Sequence, residues 1–127
     1  MNRMSDAEIQ SIYARIATYH AKYLADKGVK LPALKNKQGE YIKDALVLVR
    51  LAKNYPDTDV VSKEDLTAFM NAFYNNVVDV QQARHLSMQK GWNVLSGTRG
   101  DRLPNGEKLD SGSYKLVDLE NVYPAFR

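Results

Sequence analysis

The stretch RHLSMQKGWNVLSGTRGD, residues 84–101, decides the reading of this chain. A short cationic helix is expected to stop at Gly91, where a left-handed cap is wanted. An apolar strand, Trp92 to Ser96, follows without a linker. A turn-rich segment comes next, residues 97–112, with four glycines and Pro104. A second strand, SYKLV at 113–117, follows it. A basic helix and a basic loop back to back suggest two surfaces that face one polyanion.

Upstream, Asp79 and Gln82 form a capping-box pair that opens the helix expected over residues 80–90. Before it, Ser62 caps a helix with the inner face Leu66, Phe69, Met70 and Phe73, which Asn75 and Asn76 break. Asp59-Val60-Val61 offers a few extended residues. From Tyr41 a helical period runs through Ile42, Ala45, Leu46, Val49 and Ala52, and ends at Tyr55-Pro56, because a residue before proline avoids the helical region. At the amino end, Ser5 and Glu8 form another capping box. A helix over 6–27 follows, with Ile9, Ile12, Tyr13, Ile16, Tyr19, Tyr23 and Leu24 at helical spacing, and Gly28 is its stop. VKLPALKNKQGE reads as a connector.

The order helix, short strand, helix, helix, strand, long loop, strand is that of a winged helix. The expected class is therefore mainly α with a small antiparallel sheet: a helix-turn-helix plus a β-hairpin wing, with an N-terminal helical extension. Residues 1–39 would be the extension and connector. Residues 40–127 would be the winged-helix domain, and the two are expected to form one compact unit.

Composition narrows the chemistry. The chain has 127 residues and no cysteine, which excludes a disulfide framework, thiolate zinc sites and thiol catalysis. No apolar run approaches the ~20 residues that span a bilayer, and MNRMSDAEIQ lacks the apolar stretch of a signal peptide. No membrane association and a cytoplasmic location are the expectation. The net charge is +3. From 81 to 108 there are five basic residues (Arg84, Lys90, Arg99, Arg102, Lys108) against two acidic ones (Asp101, Glu107), an excess of three, so the rest of the chain nets to zero. That asymmetry falls on the helix and loop that a winged helix applies to DNA.

In the helix over 80–90, Val80, Ala83 and Leu86 line one face. Gln81, Arg84, His85 and Met88 line the other, flanked by Gln82 and Gln89. Glutamine can hydrogen-bond adenine twice in the major groove, and arginine can do the same to guanine. Lys90, and Thr98, Arg99, Arg102 and Lys108 in the wing, would meet phosphates. Each has a plainer reading: a solvated amphipathic face for the helix, core filling for Met88, an ordinary surface histidine for His85, and acids in the wing that offset its cations. Catalytic constellations are poor. His20 and His85 fall in different helices, phosphate-loop and nucleophile-elbow motifs are lacking, and Glu107 and Lys108 are neighbours that would point to opposite faces of a strand. No catalytic residue, metal or cofactor is expected, and Arg99-Gly100-Asp101 is read as a turn.

ARHLSMQKGWNVLSGTRGD followed by SGSYKLVDLENVYPAF resembles winged-helix modules appended to prokaryotic restriction endonucleases. Those modules run an Arg-His-Leu helix into Gly-Trp and a strand, then an Arg-Gly-Asp loop and a Tyr-x-Leu strand. The matching positions are Arg84, His85, Leu86, Gly91, Trp92, Arg99, Gly100, Asp101, Tyr114 and Leu116. The resemblance covers the second half of the chain, and the nuclease domain itself is missing from this sequence. It implies a sequence- or modification-specific reader of double-stranded DNA, with N6-methyladenine among the marks that such modules read.

The first helix is not explained by DNA binding. Its stripe of isoleucines and tyrosines either packs on the helix that starts near Tyr41, or forms a homodimer seam or a docking face for a nuclease partner. The competing function is accordingly a protein-interaction or dimerisation module with a winged-helix fold. A small metal-dependent nuclease is a more distant rival.

Overall fold

The computed structural model describes residues 4–74 and 82–126; the side chains of Gln82, Ala83 and Arg84 lie outside the description. The described elements are α1 (Asp6–Tyr19), α2 (Lys43–Leu51), β1 (Val61–Ser62), α3 (Lys63–Asn71), α4 (Gln82–Met88), β2 (Val94–Ser96) and β3 (Ser113–Leu116). The class is mixed α with a three-stranded antiparallel sheet of order β1-β3-β2. Val61 pairs with Tyr114, and Leu95 pairs with Lys115.

Local signals hold at several ends. The Ser5 hydroxyl accepts from the Glu8 N–H at 3.1 Å, and the Ser62 hydroxyl accepts from the Asp65 N–H at 3.0 Å. The first helix continues past Tyr19 as a π-helical turn (His20–Leu24) and a 3-10 turn (Ala25–Lys27), and stops at Gly28 with φ 84°. Positive φ carries little penalty only at glycine. α2 is shorter than its period suggests. After Leu51 the chain turns through Asn54 (φ 64°) to a cis Tyr55–Pro56 bond. α3 ends at Asn71, ahead of the expected break; Asn75, Asn76 and the expected cap Asp79 lie outside the described residues.

The core forms around α2. The sequence marks one apolar stripe on this helix, but every residue from Ala45 to Val49 is buried, and so is Leu51. A helix that is apolar all round belongs inside a protein. α2 is covered by α1, α3, α4 and β3 together. From α1 and its continuation, Ile9, Ile16 and Leu24 join the same cluster as Trp92, Leu86, Leu116 and Leu119. Each such aliphatic burial contributes about 1.5–3 kcal/mol, against about 1 kcal/mol for a helix cap. Burial, more than the Ser5 cap, therefore holds α1 in place.

The tyrosine stripe of the first helix is turned inward. Tyr13, Tyr19 and Tyr23 pack against the core. The Tyr13 hydroxyl donates to the Pro32 carbonyl at 2.7 Å, and the Tyr19 ring meets Tyr55 edge-on. The stripe thus packs within the chain, as the plainer reading of this helix has it. Among the described residues, no helix is long and apolar enough to cross a membrane.

Candidate nucleic-acid interface

The end of α4 sets up the site. Gly91 takes φ 95°, its N–H donates to the Ser87 carbonyl at 3.0 Å, and the Trp92 N–H donates to the Leu86 carbonyl at 2.9 Å. A Cβ at Gly91 would lie 2.8 Å from the Val29 side chain, so both backbone sign and space require glycine. Trp92 is fully buried, and its indole N–H donates to the Lys30 carbonyl at 2.9 Å. With these fixed, α4 buries Leu86 and Ser87 and exposes His85 and Met88, and Gln89 just past its end is exposed as well. Met88 is 44% exposed. It is a surface residue, so its reading as core filler is corrected.

Residues 97–112 form a two-tier hairpin. At its base, the Gly97 N–H donates to the Ser113 carbonyl, and a Cβ at Gly97 would sit 1.8 Å from the Asp110 carbonyl oxygen. Only a residue without a side chain allows that approach. The Thr98 hydroxyl accepts from the Gly112 N–H at 2.9 Å. Further out, Arg102 and Lys108 form an antiparallel bridge, and the Leu103 N–H donates to the Glu107 carbonyl at 2.9 Å. Both cations are exposed at this upper tier, and Arg102 Nη1 reaches the Gly106 carbonyl at 3.2 Å.

Between the two elements lies a groove of about 430 Å³, lined by His85, Met88, Gln89, Thr98 and Arg99. All five were marked from sequence as DNA contacts, and folding brings them to one place from both sides of β2. Lys90, half-buried, follows at the end of the helix. Gln81 lies outside the described residues, as do the side chains of Gln82 and Arg84, although the backbone of both is within α4.

Arg99 is held differently from the other cations of this hairpin. Its Nε and Nη2 donate to one oxygen of Asp101 at 3.0 and 2.6 Å, Nη1 donates to the Ser87 hydroxyl at 2.8 Å, and Nη2 also reaches the Val94 carbonyl at 3.0 Å. The guanidinium also lies over the Tyr123 ring, 4.5 Å from its centroid. Tyr123 in turn donates its hydroxyl to Asp101 at 3.1 Å. Burial pushes the Asp101 carboxyl up, but hydrogen bonds from Arg99 and the Ser96 N–H, with the charge of Arg99, outweigh it and hold the group below its ordinary value. The expected free phosphate contact at Arg99 is thus a guanidinium already bonded at every nitrogen, walling the groove and joining α4, β2 and the tail. Arg99-Gly100-Asp101 is a turn closed on itself. Removing this pair takes one cation and one anion from the count over 81–108, so the excess of three is unchanged.

Ser87 and Tyr123 were not foreseen as parts of the site. Ser87 sits one residue past Leu86 on the buried side of α4, and Tyr123 enters from the tail, 24 residues beyond Arg99 in sequence. Neither position has a local signal, because only the closed hairpin brings them to the guanidinium. Among the described residues, no group of three or more histidines and carboxylates is arranged to hold a metal ion. No family model, curated protein or solved structure matches the chain.

Proposed function

We propose that this chain is a non-catalytic, winged-helix reader of double-stranded DNA. α4 would enter the major groove, and the hairpin of residues 97–112 would lie along the backbone. The strand order β1-β3-β2, with α3 and α4 inserted between β1 and β2, is compatible with that architecture. The observation that carries the reading is the groove in which exposed His85 and Met88 of α4, with Gln89 just past its end, face Thr98 of the hairpin. The groove holds an amide and an imidazole for base edges, and Arg102 and Lys108, exposed at the outer tier of the hairpin, would meet phosphates.

A sequence- or modification-specific reader, of the kind appended to restriction endonucleases, fits the same surface. The exposed Met88 thioether beside His85 and Gln89 offers an apolar contact for an adenine N6-methyl group. One methyl contributes only about 0.8 kcal/mol by burial. Strong discrimination would need the unmethylated base to leave a polar group unsatisfied.

Fluorescence anisotropy with randomised duplexes at two salt concentrations, with and without full adenine methylation, tests the reading. Affinity should fall steeply with salt, and a difference between the two pools would mark a modification reader. No binding to either pool at low salt would overturn it in favour of protein interaction.

A further inference from the structure

The segment leading out of the first helix is rich in lysine. Residues 22–39 contain Lys22, Lys27, Lys30, Lys35 and Lys37 against the single acid Asp26, an excess of four. Lys22 and Lys35 lie over the rings of Tyr23 and Tyr41, at 5.1 and 4.8 Å from the centroids. Lys27 and Lys30 are exposed. The backbone of Val29 and Lys30 is tied to the segment just past α4 and to the first helix by several contacts. The Lys30 N–H donates to the Lys90 carbonyl at 3.3 Å. The Lys30 carbonyl accepts the buried Trp92 indole N–H, the Val29 carbonyl accepts from His20 Nε2 at 2.7 Å, and the Val29 side chain closes on Gly91.

A lysine on a mobile connector meets a polyanion only at the entropic expense of ordering it. Here the Lys30 backbone is bonded to the Lys90 carbonyl and Lys27 lies in the 3-10 turn Ala25–Lys27, so only the two lysine side chains remain to be ordered. We infer that Lys27 and Lys30 form, with Lys90, a cationic edge that contacts the phosphate backbone of the DNA bound by α4 and the wing. The inference rests on the DNA-binding reading and adds a third contact strip to it. It also gives the N-terminal extension a role at the interface: Val29 and Lys30 brace the end of α4, and the neighbouring lysines lengthen the footprint. Ammonium groups act here as point charges without base preference, so the strip would raise affinity for every duplex alike. Asp26, exposed in the same 3-10 turn, is the acid nearest in sequence that opposes it.

The test is anisotropy of the full chain on a random-sequence duplex across a salt series, for wild type, Lys27→Gln, Lys30→Gln and the double variant. Each lost phosphate contact should lower the slope of log affinity against log salt by about 0.9. The double variant should therefore lose nearly two units of slope and bind roughly ten-fold or more weakly at low salt, while a duplex preferred by the protein keeps its advantage over the random one. Thermal melting checks that the exposed substitutions leave the fold intact. Lys37→Gln, in the turn formed by residues 36–39, is the control for a general loss of charge. Wild-type binding with an unchanged slope in the double variant overturns the cationic edge and leaves the DNA reading standing. An equal loss in Lys37→Gln also overturns it, since the effect would then be net charge and not position. A wild type that binds no duplex removes both.

Discussion

Arg99 and Asp101 close a salt bridge of 2.6 Å across a two-residue turn, with only 20% and 18% of their side chains exposed. Because Arg99 also bonds Ser87 of α4, and Asp101 also accepts from Tyr123 of the tail, the pair ties the hairpin, helix and C-terminal segment together.

Arg99→Ala should therefore cost stability more than phosphate contact. Removing one partner of a buried pair costs about 3–5 kcal/mol, and partial solvent access reduces this to about 2–3 kcal/mol. Urea denaturation reads that loss. Under conditions where the variant is folded, the salt slope of DNA binding should match wild type. A slope lowered by about 0.9 would instead make Arg99 a phosphate ligand.

The same pair implies a pH dependence with a definite sign. The folded carboxyl of Asp101 titrates below its ordinary value of 3.8, so the folded state binds this proton less readily than the unfolded chain. The bridge thus contributes its full stability above the unfolded value and loses it as pH falls through the folded one. Urea midpoints measured from neutral pH down to acid should fall more steeply in wild type than in Asp101→Asn, which lacks that titration. Parallel curves would count against the bridge.

His85→Ala combined with Gln89→Ala should separate binding from folding. Both side chains are exposed, His85 on α4 and Gln89 just past its end, so stability should change by less than about 0.5 kcal/mol per site. If either side chain reads a base edge, discrimination between a preferred and a random duplex should fall by about 1–3 kcal/mol. An unchanged preference would remove these residues from the reading face.

Gly97→Ala should disrupt the hairpin of residues 97–112 without removing any proposed contact. The added methyl meets the Asp110 carbonyl oxygen at 1.8 Å, and backbone on both sides must move. A cost of about 1–3 kcal/mol or more is expected for such overpacking. Amide exchange should accelerate at the Gly112 and Ser113 N–H groups before it does in α2.

Ile16→Ala tests whether the first helix is an appendage. Ile16 is fully buried in the common core, so the loss should be about 2–5 kcal/mol, with a single cooperative transition lowered as a whole. Separate melting of the first helix would contradict one shared core.

Much of the architecture was legible because it depends on local chemistry. Ser5 and Ser62 cap helices through hydroxyls three residues from their partners, Gly28 and Gly91 stop helices through positive φ, and SYKLV alternates in and out as a strand of a one-faced sheet does. The groove residues were legible as well, since the helical period separates Leu86 from His85 and Met88. The extent of α2 burial was not. Helical spacing marks one stripe, whereas cover on every side depends on how many other elements arrive.

What the sequence by itself determined was the order of helices and strands, the caps and stops, and the basic bias of residues 81–108, because each depends on neighbours a few positions away. Tertiary structure alone decided which cations remain available. Arg99 and Lys108 look alike in sequence, yet Arg99 is closed in by Ser87, Asp101 and Tyr123 while Lys108 stays exposed. Lys30 looks like part of a connector, yet its backbone is bonded to Lys90 at the end of α4. Asp101 is a neighbour in sequence, but Ser87, Tyr123 and Lys90 come from other segments, and a charge acts through what stands beside it in space.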